Sequence, residues 1–196
     1  MFEILLGSLI GLFGFTQTVD TKPQPQGTVN LSQPLTPNGP YRESVQLEPM
    51  SQLQFRNVIR QAYDYSCGSA ALTTLLDYYL GRNLEERQVM EGLLRYGEAD
   101  KIVQRRGFSL LDMKRYVESM GMRARGYRIE AAQLEQLKIP AIVLMEIRGY
   151  KHFVVLQRTQ GEYVYVGDPA LGHKRYALTE FAKGWNGIVF AVIGQG

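Results

Sequence analysis

Hydrophobic and polar positions divide the chain into an apolar head, a polar stretch and a patterned body. Residues Ile4 to Phe15 are apolar, interrupted by Gly7, Ser8, Gly11 and Gly14. From Thr16 to Met50 neither the helical nor the strand period survives, so an extended tether is expected over 16–50. From about Ser51 the pattern becomes that of a folded domain, 51–196. Gly68 to Leu80 reads as a helix with Ala71, Leu75 and Tyr79 on one line and Leu72 and Leu76 on the next. A helix that is apolar on most sides belongs in the centre of a core. Gly81 stops it. Leu84 to Tyr96 predicts an amphipathic helix ending at Gly97. Ser109, with Asp112 three residues on, predicts a capped helix running to Met120.

Beyond Gly121 the period shortens. Met122 to Ile129, Ile139 to Ile147, His152 to Arg158, Glu162 to Gly167, Lys174 to Ala177 and Gly187 to Ile193 read as strands, with a short helix over Ala131 to Leu137. Thr159-Gln160-Gly161 signals a hairpin. Helices first and mostly antiparallel strands afterwards predict an α+β domain, not a doubly wound sheet.

Composition narrows the function. Six of the eight prolines fall between Pro23 and Pro49, which favours an extended tether. Hydrophobic residues are 45% and charged residues 21%, as in an ordinary globular domain. A net charge of +3 does not point to nucleic acid. The eight basic residues between Lys101 and Arg128 lack an aromatic stacking platform and read as solvated faces. With one cysteine and two histidines, neither a disulfide framework nor a cysteine zinc site can be built. No apolar run reaches the roughly 20 residues of a membrane span. The head has the length of a secretory h-region but lacks a basic flank; a signal and a short apolar arm packed on the domain both fit residues 1–15.

The single thiol, Cys67, precedes the central helix. Free N–H groups and the positive end of the helix dipole lower a thiol's pKa there, which makes Cys67 a candidate nucleophile. A small half-buried core cysteine fits the same position. The hairpin adds a base. If Gln160 marks its tip, His152 and Asp168 lie directly opposite each other on one face, and the carboxylate can fix the imidazole tautomer. Gln61, six residues before Cys67, can donate to an oxyanion alongside the Cys67 N–H. His173 and the tyrosines Tyr63, Tyr65, Tyr78 and Tyr79 read as surface and cleft-wall residues, and Asp64 has no assigned role.

Three blocks carry a resemblance: Gln61 to Leu72 (QAYDYSCGSAAL), Gly149 to Leu156 (GYKHFVVL) and Val166 to Ala170 (VGDPA). Together they resemble the papain-like cysteine peptidases of family 39, which process double-glycine leader peptides in bacteriocin exporters. The likeness runs from Phe55 to Ile193. It implies a papain-like α+β fold, hydrolysis through a thioester, and Cys67, His152, Asp168 and Gln61 as the catalytic set. It also implies that no metal or organic cofactor is needed. Phe181, Trp185 and Gly187 resemble the family's closing segment, with structural packing expected. Exporter members carry membrane and ATPase domains and acidic residues near the cysteine. This sequence has neither domain, so a stand-alone form is expected; Ala62, Tyr63 and Ser66 partly replace the acidic residues, a departure that bears on the double-glycine substrate rule and not on the triad. The head and tether are most similar to the exported peptidases of functional-amyloid (Fap) secretion operons. The expected partners are a peptide or protein substrate and secretion-system components, and the expected location is the periplasm. A silent peptide-holding module and a papain-like acyl transferase share these features.

Overall fold

A computed structural model describes residues 27–32, 42–147 and 149–194. It divides into two compact units, Met1–Leu47 and Glu48–Gly196. Within the first, β1 (Gly27–Ser32) and β2 (Arg42–Leu47) form an antiparallel pair. This pair falls inside 16–50, where the sequence shows no strand period and an extended tether was expected. Residues 1–15 lie outside the described residues.

The second unit begins with a short helix α1 (Met50–Gln54) and then α2 (Cys67–Thr74). Every residue of α2 after Cys67 is buried. Its polar members are accommodated by bonding back along the helix. Ser69, Thr73 and Thr74 hydroxyls donate to the carbonyls of Ser66, Ser69 and Ala70 at 2.7–2.9 Å, so no buried hydroxyl is left to pay its desolvation cost alone. The chain continues as a π-helical turn, Leu75–Tyr79, and Gly81 at φ +62° ends it.

Helices α3 (Glu86–Tyr96), α4 (Ala99–Arg105) and α5 (Leu110–Ser119) follow. The expected cap of α5 is present, with Ser109 Oγ accepting from the Asp112 N–H at 3.2 Å. Helix α4 and the later α6 (Leu178–Gly184) have no counterpart in the sequence reading. Each buries one side chain, Ile102 and Phe181 respectively, and a single anchor leaves no period to detect.

Strands β3 (Arg123–Arg128), β4 (Ala141–Ile147), β5 (Tyr150–Gln160), β6 (Tyr163–Asp168), β7 (Gly172–Ala177) and β8 (Trp185–Ile193) form one antiparallel sheet in the order β3-β8-β4-β5-β6-β7. The short helix expected over Ala131 to Leu137 is present as a 3₁₀ helix, Ala131–Gln136. The runs AIVLM and FVVL are apolar at consecutive positions because both faces of the sheet are covered. Ile142, Phe153, Val155 and Phe190 pack under α2, α3 and α5. Val143, Val154, Leu156 and Val166 pack with Leu134, Phe181 and Trp185 on the other face. Phe181 and Trp185 pack with ring centroids 5.6 Å apart and planes tilted by 36°, which is the packing role expected of them.

Candidate active site

The β5–β6 hairpin corrects the register read from the sequence. Its loop is Gly161-Glu162, not one centred on Gln160, because Gln160 already pairs with Tyr163. Near the loop the pairing is three residues away from the expected register, which would put Asp168 and His152 on opposite faces of the sheet. A bulge at Gln157 then shifts the register by one, so that Val155 faces Gly167 and Leu156 faces Val166. The remaining offset is two, an even number, and the faces match again. Continued one step, the ladder sets Asp168 opposite Val154. His152 is then its diagonal neighbour on the same face, within reach at about 7–8 Å between backbones. The two side chains close that gap: His152 Nε2 meets Asp168 Oδ1 at 2.8 Å.

Asp168 is built to hold a ring. Its side chain is 1% exposed. Oδ1 also accepts the N–H groups of Ala170 at 2.8 Å and Leu171 at 3.0 Å, while Oδ2 has no hydrogen-bond partner among the described residues. Burial pushes its pKa up, but the His152 bond and charge and the two backbone N–H groups outweigh it and hold the carboxyl below its usual range. Because Nε2 is committed to Asp168, Nδ1 is the nitrogen left to face a second partner, and that partner is the Cys67 side chain, with which the ring interacts.

Cys67 opens α2 and is half-buried. Burial pushes the thiol pKa up. The His152 bond and charge and the N–H groups of Phe153 and Gly68 more than reverse this, so it lies below its ordinary value. Gly68 N–H belongs to the first helical turn, whose amides have no partner within the helix. Burial alone would lower the His152 pKa; Asp168 and Cys67 raise it to about 9. The geometry therefore favours a thiolate–imidazolium pair held by a buried carboxylate. The Gly68 N–H is one of the helix-start amides expected from the sequence, whereas sequence reasoning missed the Phe153 N–H and the bulge at Gln157, since a strand's backbone donor and a ladder slip have no side-chain signature.

Gln61 is tied to the same region. Its backbone N–H donates to Pro169 O at 2.9 Å and its Nε2 to Tyr63 O at 3.2 Å. A carboxamide has two N–H donors, so one remains for a ligand. His173 is exposed and bridges Arg56 O at 2.6 Å and Gln157 Oε1 at 3.2 Å. Tyr63, Tyr65, Tyr78 and Tyr79 are all exposed. In the basic 101–128 region, Lys101 and Arg115 pair with Glu98, Arg105 with Asp112 and Lys114 with Glu118.

The ion pair sets a pH dependence. kcat/KM should rise as Cys67 ionises, below the ordinary thiol pKa, and fall as His152 loses its proton near 9. A profile that still climbs above 9, as for an isolated thiol, would show that the pair does not form.

A model of the Peptidase C39 family matches residues 56–194. The chain is 72% identical over 151 residues to the "Probable functional amyloid protease FapD" of Pseudomonas aeruginosa, covering 77% of this chain and 66% of that protein. It is 51% identical over 150 residues to the protein of that name from Pseudomonas fluorescens, covering 76% of this chain and 66% of the relative. The chain thus spans about two thirds of the length of these relatives. Among solved structures, a double glycine motif protease from an AMS/PCAT transporter, in complex with the leader peptide, aligns with a TM-score of 0.57 at 29% identity, covering 69% of this chain and 89% of that one. The peptidase domain of Streptococcus ComA shares the fold at a TM-score of 0.59 and 20% identity, over 70% of this chain and 98% of that one. These likenesses bear out the expected α+β, papain-like peptidase fold. With the family model spanning nearly all of the Glu48–Gly196 unit, the chain belongs to the Peptidase C39 family.

Proposed function

We propose that this protein is a cysteine peptidase that cleaves a peptide or protein during bacterial secretion, through a thioester and without a cofactor. The observation that carries the reading is the continuous relay from buried Asp168 through His152 to Cys67, closed at 2.8 Å on the carboxylate side.

His152 Nδ1 holds the Cys67 proton, and the thiolate attacks the scissile carbonyl. The new C–S bond pushes the carbonyl electrons onto oxygen. The free N–H of Gln61 and the Cys67 N–H receive that oxyanion, where one donor is worth roughly 10²–10³ in rate. As the C–N bond breaks, His152 protonates the departing amine. It then takes a proton from water, which opens the thioester and frees the acid. Asp168 keeps the ring oriented and stabilises the imidazolium while remaining ionised.

The substrate class follows from the relatives. One solved relative is a double glycine motif protease with its leader peptide bound, and others are called functional amyloid proteases. We therefore read this chain as processing a substrate in amyloid or leader-directed export, and the apolar head of the sequence supports action outside the cytoplasm. Comparing secreted proteins from cells carrying the wild-type protein or Cys67→Ala tests this directly. One species should keep an N-terminal or internal segment only in the variant. Identical secretomes would overturn the processing role.

A further inference from the structure

We propose that Glu86 is a positioning residue that holds Gln61 in register with Cys67. This rests on the peptidase reading and on Gln61 as the oxyanion donor. Gln61 is carried by a strap, residues 56–62, that runs between the helices and the sheet. Most of its fastenings lie before or at Gln61. His173 Nε2 donates to Arg56 O at 2.6 Å. Val58 is buried against Gly167, where an added Cβ would come within 2.9 Å of Val58 Cγ2. Ile59 N–H donates to Thr74 Oγ1 at 2.9 Å, and Gln61 N–H to Pro169 O at 2.9 Å. These fix the strap to β6, β7 and the far end of α2. None of them reaches the turn of α2 that holds Cys67.

The Gln61 side chain has one tie to that turn through Tyr63 O, which also accepts the Ser66 N–H at 3.2 Å and Oγ–H at 3.0 Å, and Glu86 supplies the tie for the backbone that carries Gln61. Its Oε2 accepts the Ala62 N–H at 3.0 Å, one residue past Gln61. Its Oε1 lies 3.3 Å from Ser69 Oγ, in the first turn of α2, and Ser69 is fully buried. One carboxylate thus joins the residue after the oxyanion donor to the residue two after the nucleophile. Glu86 is itself fixed in the first turn of α3 by the Glu85–Gln88 capping box and by buried Val89 and Leu93. A carboxylate that served only the helix dipole would need its charge there and no partners. Here both oxygens face donors from two different segments.

The two roles separate by substitution in the full chain. In the wild type the single Ser69 hydroxyl hydrogen is shared between Ser66 O at 2.9 Å and Glu86 Oε1 at 3.3 Å; Gln at 86 removes the charge, yet its oxygen can accept from Ala62 and its amide can donate to Ser69 Oγ, whose hydrogen then goes wholly to Ser66 O. Asp at 86 keeps the charge but withdraws both oxygens. With a peptidyl-Gly-Gly fluorogenic amide as reporter, Glu86→Ala and Glu86→Asp should lower kcat roughly ten- to a hundredfold, as misplacing a catalytic group by about an ångström does, with KM within about twofold. Glu86→Gln should stay within about threefold of wild type. Alkylation of Cys67 should be unchanged in all three. On a Gln61→Ala background, Glu86→Ala should cost no more than about a further twofold.

A peptidyl-glycinal aldehyde gives a turnover-free measure. Its hemithioacetal oxyanion uses the same donor, so its protection of Cys67 from alkylation should weaken in Glu86→Asp as it does in Gln61→Ala. A Glu86→Asp variant as active as wild type, a Glu86→Gln variant as impaired as Glu86→Ala, or full additivity with Gln61→Ala would overturn the proposal. A wild-type Cys67 that ignores both alkylator and aldehyde would instead overturn the peptidase reading. A Gln61→Ala variant with undiminished kcat would remove the oxyanion donor itself.

Discussion

Purified Cys67→Ala should fold as the wild type does and cleave no peptide, a loss of about 10⁴-fold or more in kcat, as for removal of a nucleophile from a triad. The substitution removes one sulfur at the half-buried mouth of α2, while the packing residues of that helix, Ala70 to Leu76, stay in place. Peptide binding should survive, because only the sulfur is removed. The His152 ring should also titrate below about 9, since the Cys67 sulfur is one of the two partners that raise it. Two-dimensional NMR of the imidazole and a peptide-cleavage assay check both parts. Residual cleavage near the wild-type rate would move the nucleophile elsewhere and leave Cys67 as a packing residue.

Asp168 should separate geometry from charge. In Asp168→Ala the ring loses its holder, and the N–H groups of Ala170 and Leu171 lose their shared acceptor. The expected loss is roughly 10³–10⁴ in kcat, comparable to disabling the orienting carboxylate of a triad. The two N–H groups belong to exposed residues, so water can take over and the stability cost should stay near that of an ordinary lost hydrogen bond, about 1 kcal/mol each. Asp168→Asn should behave differently. All three bonds of the carboxylate go to Oδ1, which an amide oxygen can replace. Its nitrogen would occupy the place of Oδ2, which has no hydrogen-bond partner among the described residues, so the variant should fold with a modest stability cost. What it loses is the negative charge that keeps His152 protonated. The alkaline limb of kcat/KM should therefore move below about 9, because a ring without its counter-ion gives up its proton at lower pH. Denaturant titration and a pH–rate series on both variants test this. Equal, wild-type-like profiles would mean that Asp168 neither orients nor charges the ring.

The positioning of these groups shows how differently information is stored along the chain. Cys67 at the start of an apolar helix is a local feature, and both its place and the helix that buries it could be read from the pattern at 67–80. The capped start at Ser109 was equally local. The buried strands were visible as apolar runs, because a sheet covered on both faces needs apolar residues at consecutive positions. Helices α4 and α6 were not visible, since one buried side chain each sets no period. The hairpin was found, yet its register was misjudged.

That misjudgement marks the boundary between local and tertiary information. The residue types Gln61, Cys67, His152 and Asp168, their order and their placement at a helix start and two strand ends belong to the sequence alone. Whether His152 and Asp168 share a face depends on the bulge at Gln157, and a bulge is settled by how β5 and β6 pair with their neighbours. The depressed thiol pKa likewise needs Phe153 N–H from a strand and Gly68 N–H from a helix at one sulfur, a meeting that only the packed chain provides. Side-chain chemistry is written residue by residue, whereas hydrogen-bond register and burial are cooperative properties of several segments at once, so they became definite only when the sheet closed against the helices.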